Sequence, residues 1–127
     1  MLKINNKVLV TGAAGFIGAA LSQKLLLEGF DTIGVDNFDN YYDINLKKSR
    51  LNEIERTSKN NLSKWTFYND SIDDLERINK IFEVEKPKIV VHLAAHAGVR
   101  YSLTNPHCFN QTNVVGFGNI IENCRLN

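Results

Sequence analysis

Cysteine, excess charge and long apolar runs are what this sequence of 127 residues has least of. Its two cysteines, Cys108 and Cys124, form no CxxC pair and no metal-type cluster. Isolated thiols in a chain without a secretory signature read as reduced, which predicts a cytoplasmic location. The first ten residues carry Lys3 and Lys7 and only a brief apolar stretch, too short for a signal-peptide core. Lys+Arg 15 against Asp+Glu 14 leaves a net charge of +1. That balance argues against nucleic-acid or anionic-membrane partners, which call for clustered basic excess. No apolar run approaches the roughly 20 residues of a membrane span. What remains is an ordinary globular composition, 43% hydrophobic and 23% charged, with room for one domain.

The hydrophobic pattern alternates between two periods. Residues 7–11 form a short apolar, β-branched run and predict a buried strand. After a glycine-rich break, Phe16, Ile17, Ala20, Leu21, Leu25 and Leu26 recur at helical spacing up to Gly29. Residues 31–36 predict a second strand, and residues 37–43 a polar, aromatic loop. Asp43 is placed to cap a helix carrying Ile44, Leu46, Leu51 and Ile54. Residues 65–68 predict a third strand. Ser71-x-x-Asp74 reads as a capping box opening a helix with Leu75, Ile78, Ile81 and Phe82. Residues 88–93 predict a fourth strand, and its continuous apolar character predicts the most central place in the sheet. Residues 94–105 read as loop. From Pro106 a last helix offers Val114, Val115, Phe117, Ile120 and Ile121 for burial. Strict alternation of strand and helix predicts an α/β fold around a parallel sheet.

Between the first strand and the first helix lies Gly12-Ala-Ala-Gly15-Phe-Ile-Gly18, a GxxGxxG form of the dinucleotide fingerprint. Gly12 permits the tight turn, Gly15 removes a Cβ where backbone approaches a pyrophosphate, and Gly18 lets the helix lie close on the sheet. The helix start then offers N–H groups and partial positive charge to phosphates. Asp36 ends the second strand 18 residues after Gly18, near the expected spacing of about 20. A carboxylate there accepts from the adenosine ribose hydroxyls and repels a 2′-phosphate, which favours NAD over NADP. The predicted fold is thus Rossmann-like, a doubly wound parallel sheet.

Several stretches together resemble the extended short-chain dehydrogenase/reductases, and within them the NAD-dependent epimerase/dehydratases of nucleotide sugars. They are Thr11 to Gly18, Val35-Asp-Asn37, Asp70, His92-Leu-Ala-Ala95 and Asn113-Val-Val-Gly116. Two longer runs, residues 36–50 and 97–102, resemble UDP-glucuronate 4-epimerases in particular. The resemblance covers essentially the whole chain. It implies that Gly12, Gly15, Phe16, Ile17 and Gly18 hold the pyrophosphate, and that Asp36, Asn37 and Asn40 hold the adenosine ribose and its phosphate. Asp70 and Ser71 would bracket the adenine. Leu93, Ala94 and Ala95 would pass under the nicotinamide ribose, with Asn113 supporting that side from the last helix. The implied chemistry is a transient oxidation at the sugar C4 by NAD, with a Tyr as base and a Lys four residues later tuning it.

No Tyr in this sequence is followed four residues later by Lys. The chain therefore resembles the N-terminal part of such an enzyme: a Rossmann sheet truncated after about four strands, without its catalytic pair or its C-terminal substrate-binding lobe. That reading predicts a marginally stable, inactive polypeptide with an unpaired apolar sheet edge. A stand-alone NAD-binding module, a remnant and a related dehydratase are the alternatives. His96 stands where the resemblance leads one to expect Gln. Arg100 and Ser102 lie beyond the fourth strand, where they either meet the substrate carboxylate or diphosphate or are solvated loop residues. Tyr41 and Tyr42 either cover the adenosine side or simply pack. His92 and His96 are four apart but straddle strand and loop, so neither is read as a metal ligand. A nucleotide sugar is the implied partner, and a homodimer through the helix from Pro106 is compatible with the resemblance.

Overall fold

Residues 6–127 are described in a computed structural model of the chain; the reading of the first five residues lies outside the described part. Four runs rich in β-branched and aromatic residues become four parallel strands. They are β1 (Val8–Thr11), β2 (Thr32–Asp36), β3 (Trp65–Asn69) and β4 (Ile89–His92). The order is β3-β2-β1-β4. Thr11 pairs with Val35 on one side and His92 on the other, and Asp36 pairs with Asn69. The chain first winds outward from β1 through β2 to β3, then returns to the far side of β1. That reversal, between β1 and β4, is the position at which open parallel sheets bind ligands.

Both sheet faces are covered, because alternate side chains of each strand point to opposite faces. Leu9, Ile33 and Val35 pack with Ile78, Ile81 and Phe82 of α3 (Leu75–Glu85) and Ile120 of α6 (Phe117–Leu126). Val8 and Val10 face the other way, with Leu21 and Leu25 of α1 (Phe16–Leu27) packed against them. Ala19 and Leu26 of α1 then meet Ile54 of α2 (Ile44–Lys59). Asp43 caps α2 as expected, its side chain accepting from the Asn45 amide.

Four expectations are corrected. β4 is an edge strand of the described sheet, as β3 is, and β1 and β2 are interior. Continuous apolar character therefore marks a strand able to be buried on both sides, not its rank in this sheet. The expected capping box is a simple cap. Asp74 itself is the N-cap of α3, accepting from the Arg77 amide, while Ser71 closes the preceding turn through its carbonyl. Residues 94–105 are not all loop, since α4 (Val99–Thr104) lies within them. The helix from Pro106 runs through α5 (Pro106–Phe109), a π-helical turn at Asn110–Gly116, and α6. Of its five apolar candidates only Ile120 is buried; Val114, Val115, Phe117 and Ile121 are exposed. No helix among the described residues is long and apolar enough to cross a membrane.

Candidate functional site

A cleft of ≈ 370 Å³ opens at the carboxyl ends of the strands. Its floor is the turn after β1. Gly12 sits at φ +70°, and a Cβ there would lie 2.9 Å from the Ala94 amide nitrogen. The turn and the segment after β4 therefore touch backbone to backbone, as a cradle that a side chain would fill. Gly18 makes the second close approach, since its Cβ would stand 2.0 Å from the Gly12 carbonyl oxygen. Gly15 caps α1 with no side-chain hydrogen bond. The first-turn amides of α1 are thus left for an anion.

Thr11 ties the two lips together. Its hydroxyl accepts from the Leu93 and Ala94 amides at 3.0 and 3.1 Å and lies 2.8 Å from His92 Nδ1. Two accepted bonds fill the oxygen's lone pairs, so the hydroxyl proton goes to Nδ1 and the imidazole carries its own proton on Nε2. Burial holds the His92 pKa below its usual value, and a protonated ring would lose this acceptor. The neutral form is thus the folded form. Between the depressed folded pKa and about 6.5 the unfolded chain binds more protons, so stability is present above that window and lost as pH falls through it. We expect the melting temperature to drop from pH 7.5 to 5.5, and His92→Asn, whose amide oxygen replaces the Nδ1 acceptor, to drop less.

Asp36 closes the end of the cleft beyond β2. It is 8% exposed. One carboxylate oxygen accepts from the Ala14 amide at 3.1 Å and the other from the Phe38 amide at 2.9 Å. An ionised carboxylate has lone pairs left after two such bonds. Asn37 faces Ser71 across the cleft at 3.5 Å. Asp70 also lines the cleft, but Arg77 takes both its oxygens, at 2.9 and 3.2 Å. Ser71 spends its hydroxyl on Asp73.

The structure brings most of the expected residues to one place. Gly12, Gly15 and Phe16 line the cleft with Asp36, Asn37, Asp70 and Ser71, and Leu93, Ala94 and Ala95 form its far wall. Phe16 is 74% exposed at its rim. Ile17, Gly18 and Asn40 do not line it. Asn113, in the π-helical turn, also stands outside the wall and acts through His96. It accepts from the His96 amide at 2.9 Å and donates to the His96 carbonyl at 3.0 Å. Arg100 and Ser102 lie on α4 away from the cleft, and the Ser102 hydroxyl bonds the Val99 carbonyl of its own turn. His96 itself pairs with Asp39 at 3.3 Å. Tyr41 and Tyr42 line the cleft, and Tyr41 packs at a tilt of 31° against Tyr101 of α4 with ring centres 5.0 Å apart. Tyr68 is tuned away from base chemistry: burial first, then its hydrogen bond to Glu85, push the phenol up to about 12.

Sequence reasoning missed Thr11, Asp39, Lys47 and Arg50. Thr11 ends the predicted first strand, and Lys47 and Arg50 fall between the apolar positions of the predicted second helix. Their only signal was membership of the stretches that carried the family resemblance, residues 36–50 for Asp39, Lys47 and Arg50 and Thr11 to Gly18 for Thr11. No group of three or more potential metal ligands occurs among the described residues.

Residues 9–127 match the family model described as GDP-mannose 4,6 dehydratase. The chain belongs to that family. UDP-glucuronate 4-epimerase 2 of Arabidopsis thaliana is 43% identical over 118 residues, which is 93% of this chain and 26% of that protein. UDP-glucuronate 4-epimerase of Thermodesulfobacterium geofontis is 42% identical over 114 residues, 90% of this chain and 34% of its own length. Among solved structures, a UDP-glucuronic acid 4-epimerase mutant from Bacillus cereus, in complex with UDP-4-deoxy-4-fluoro-glucuronic acid and NAD, superposes with a TM-score of 0.80 at 30% identity, covering 94% of this chain and 36% of that one. UDP-glucose 4-epimerase from Thermotoga maritima, with UDP-glucose, gives a TM-score of 0.75 at 34% identity, with 92% and 33% covered. The chain thus spans about a third or less of the relatives it matches. The match extends over both lips of the cleft, and the family bears out the resemblance to nucleotide-sugar epimerases and dehydratases.

Proposed function

We propose that these 127 residues form the NAD-binding half-site of a nucleotide-sugar 4-epimerase, with UDP-glucuronate and UDP-galacturonate as its substrate pair. The observation that carries the reading is the cleft itself. A glycine turn, the open start of α1 and a buried carboxylate with lone pairs to spare meet where β1 and β4 diverge. That set suits a dinucleotide and is what the resemblance assigns to the cofactor. Bound NAD supplies reversible hydride acceptance from the sugar C4.

The chain's own residues bind and orient. The α1 amides take the pyrophosphate charge, and Asp36 accepts from the adenosine ribose. Leu93, Ala94 and Ala95 present a small-residue wall to the nicotinamide side, and Thr11 and Asn113 hold that wall in place. Asp70 and Ser71 bracket the adenine. Arg100 and Ser102 serve the sugar nucleotide from α4, a role that calls for movement of α4 toward the cleft. Proton transfer at the sugar hydroxyl is assigned to no residue of this chain. A homodimer through the helix from Pro106 belongs to the same reading, supported by Val114, Phe117 and Ile121, which are exposed along it. The dehydratase description of the matching family model keeps a nucleotide-sugar dehydratase as the second reading.

Calorimetry of the purified chain with NAD tests the proposal, with Asp36→Ala as the control. Binding is expected, and the variant is expected to weaken it by roughly tenfold or more, the loss typical of hydrogen bonds to a charged acceptor. A folded chain that binds no NAD would sink the reading.

A further inference from the structure

Lys47 is 7% exposed, an unusual place for a lysine. It leaves α2 and enters the cofactor cleft. Its ammonium donates to the Asp39 carbonyl at 3.0 Å and stands 3.7 Å from the Asp36 carboxylate. One turn on along α2, Arg50 donates to the Ala14 carbonyl at 3.2 Å. Ala14 is also the residue whose amide binds Asp36. The carboxylate is therefore fixed on three sides, by the glycine turn, by the Phe38 amide and by a cation from α2. The two amides are uncharged backbone tethers, one local from Phe38 and one from Ala14, 22 residues away. Only Lys47 adds charge, and it also holds the loop 37–43 down on α2 through Asp39.

We propose that Lys47 is the positioning residue that sets the Asp36 carboxylate to receive the adenosine ribose hydroxyls; this rests on the NAD-binding reading above. The ammonium stands beside the carboxylate oxygen that also accepts from the Phe38 amide and offsets its charge. The carboxylate cannot then rotate toward solvent, and its remaining lone pairs face the cleft. Without the cation only the two amide bonds hold the carboxylate, and a buried charge with no counter-ion is drawn toward water. The ribose hydroxyls would then meet an acceptor no longer aimed at them. A buried lysine beside a buried aspartate in a cofactor cleft is otherwise an expense that a solvated helix face would avoid.

The test compares NAD with its analogue lacking the adenosine 2′-hydroxyl, by calorimetry on the full chain. The wild-type chain is expected to bind NAD roughly tenfold or more tightly than the analogue, the difference made by a hydrogen bond to a charged acceptor. Lys47→Gln keeps a donor for the Asp39 carbonyl, so the loop tether and fold survive while the charge is lost. It is expected to weaken NAD and to shrink that ratio to about threefold or less. Lys47→Arg, which restores the cation, is expected to recover most of the ratio. A residue that merely supports the fold would weaken both ligands equally. If Lys47→Gln retains the full ratio, or lowers both affinities in parallel, the proposal is overturned while NAD binding stands. If the wild-type chain binds neither ligand, the cofactor reading itself fails and this proposal with it.

Discussion

Gly18→Ala is expected to abolish NAD binding and to lower the melting temperature by roughly 10 °C. The added Cβ would stand 2.0 Å from the Gly12 carbonyl oxygen, 2.8 Å from its carbon and 3.1 Å from the Ala13 Cα. All three are backbone atoms, so no flexible side-chain tip exists to give way. Alanine does favour a helix over glycine by about 1 kcal/mol. Forcing a methyl into a packed contact costs about 1–3 kcal/mol and sometimes more, and a gap this short belongs at or beyond the upper end. The clash wins. Relief requires α1 to lift off β1 or the Gly12 turn to shift toward the segment after β4. The second path is nearly closed, because Gly12 already lies against Ala94. Either movement displaces the α1 amides to which the proposed function assigns the pyrophosphate. Calorimetric melting and NAD titration of the same preparation check this. A variant that melts with the parent and binds NAD would show that the turn and α1 are more compliant than their contact suggests.

The four strands and the helices that flank them were legible from their apolar patterns, whereas α4 and the π-helical turn were not. Val8 to Thr11 alternate between two helical layers, and α3 buries Ile78, Ile81 and Phe82 on one stripe. The glycine fingerprint was legible because its spacing reflects a geometric need, which the contacts at Gly12 and Gly18 make explicit. Sequence failed where a residue's role depends on a distant segment. Thr11 has no meaning as a clamp until β4 is known to lie beside β1. Lys47 reads as solvated until the 37–43 loop folds back over it. The fourth strand was misplaced for a related reason. Apolar composition reports what a strand tolerates on its faces, whereas sheet order is set by where the connections cross. The exposed Val114, Phe117 and Ile121 likewise kept their helical spacing, but spacing alone does not say what lies opposite.

Thr11→Val is expected to cost about 3 kcal/mol and to weaken NAD binding, while Thr11→Ser costs only about 1 kcal/mol. Valine preserves the shape and the strand preference of threonine, so the packing at this fully buried position is nearly kept. What disappears is one oxygen serving three partners: the Leu93 amide, the Ala94 amide and His92 Nδ1. Leaving a buried polar group unmatched costs about 1–3 kcal/mol each. These partners are part-buried, which places each near the lower figure and the sum near three. The functional cost follows from the same atoms. Leu93 and Ala94 form the wall assigned to the nicotinamide side, and without Thr11 their amides are free to turn toward water. The pH profile supplies a signature that simple destabilisation lacks. In the parent, the Thr11 hydroxyl requires an unprotonated Nδ1, so acidification through the His92 window loosens the fold. In Thr11→Val the hydroxyl no longer makes that demand but the burial that lowers the His92 pKa remains, so the melting temperature should fall less between pH 7.5 and 5.5 than in the parent and more than in His92→Asn. Thermal melts of the three variants at both pH values measure this. A Thr11→Val chain as stable as Thr11→Ser, with the parent's pH dependence intact, would mean that packing alone holds β4 and its following segment to β1.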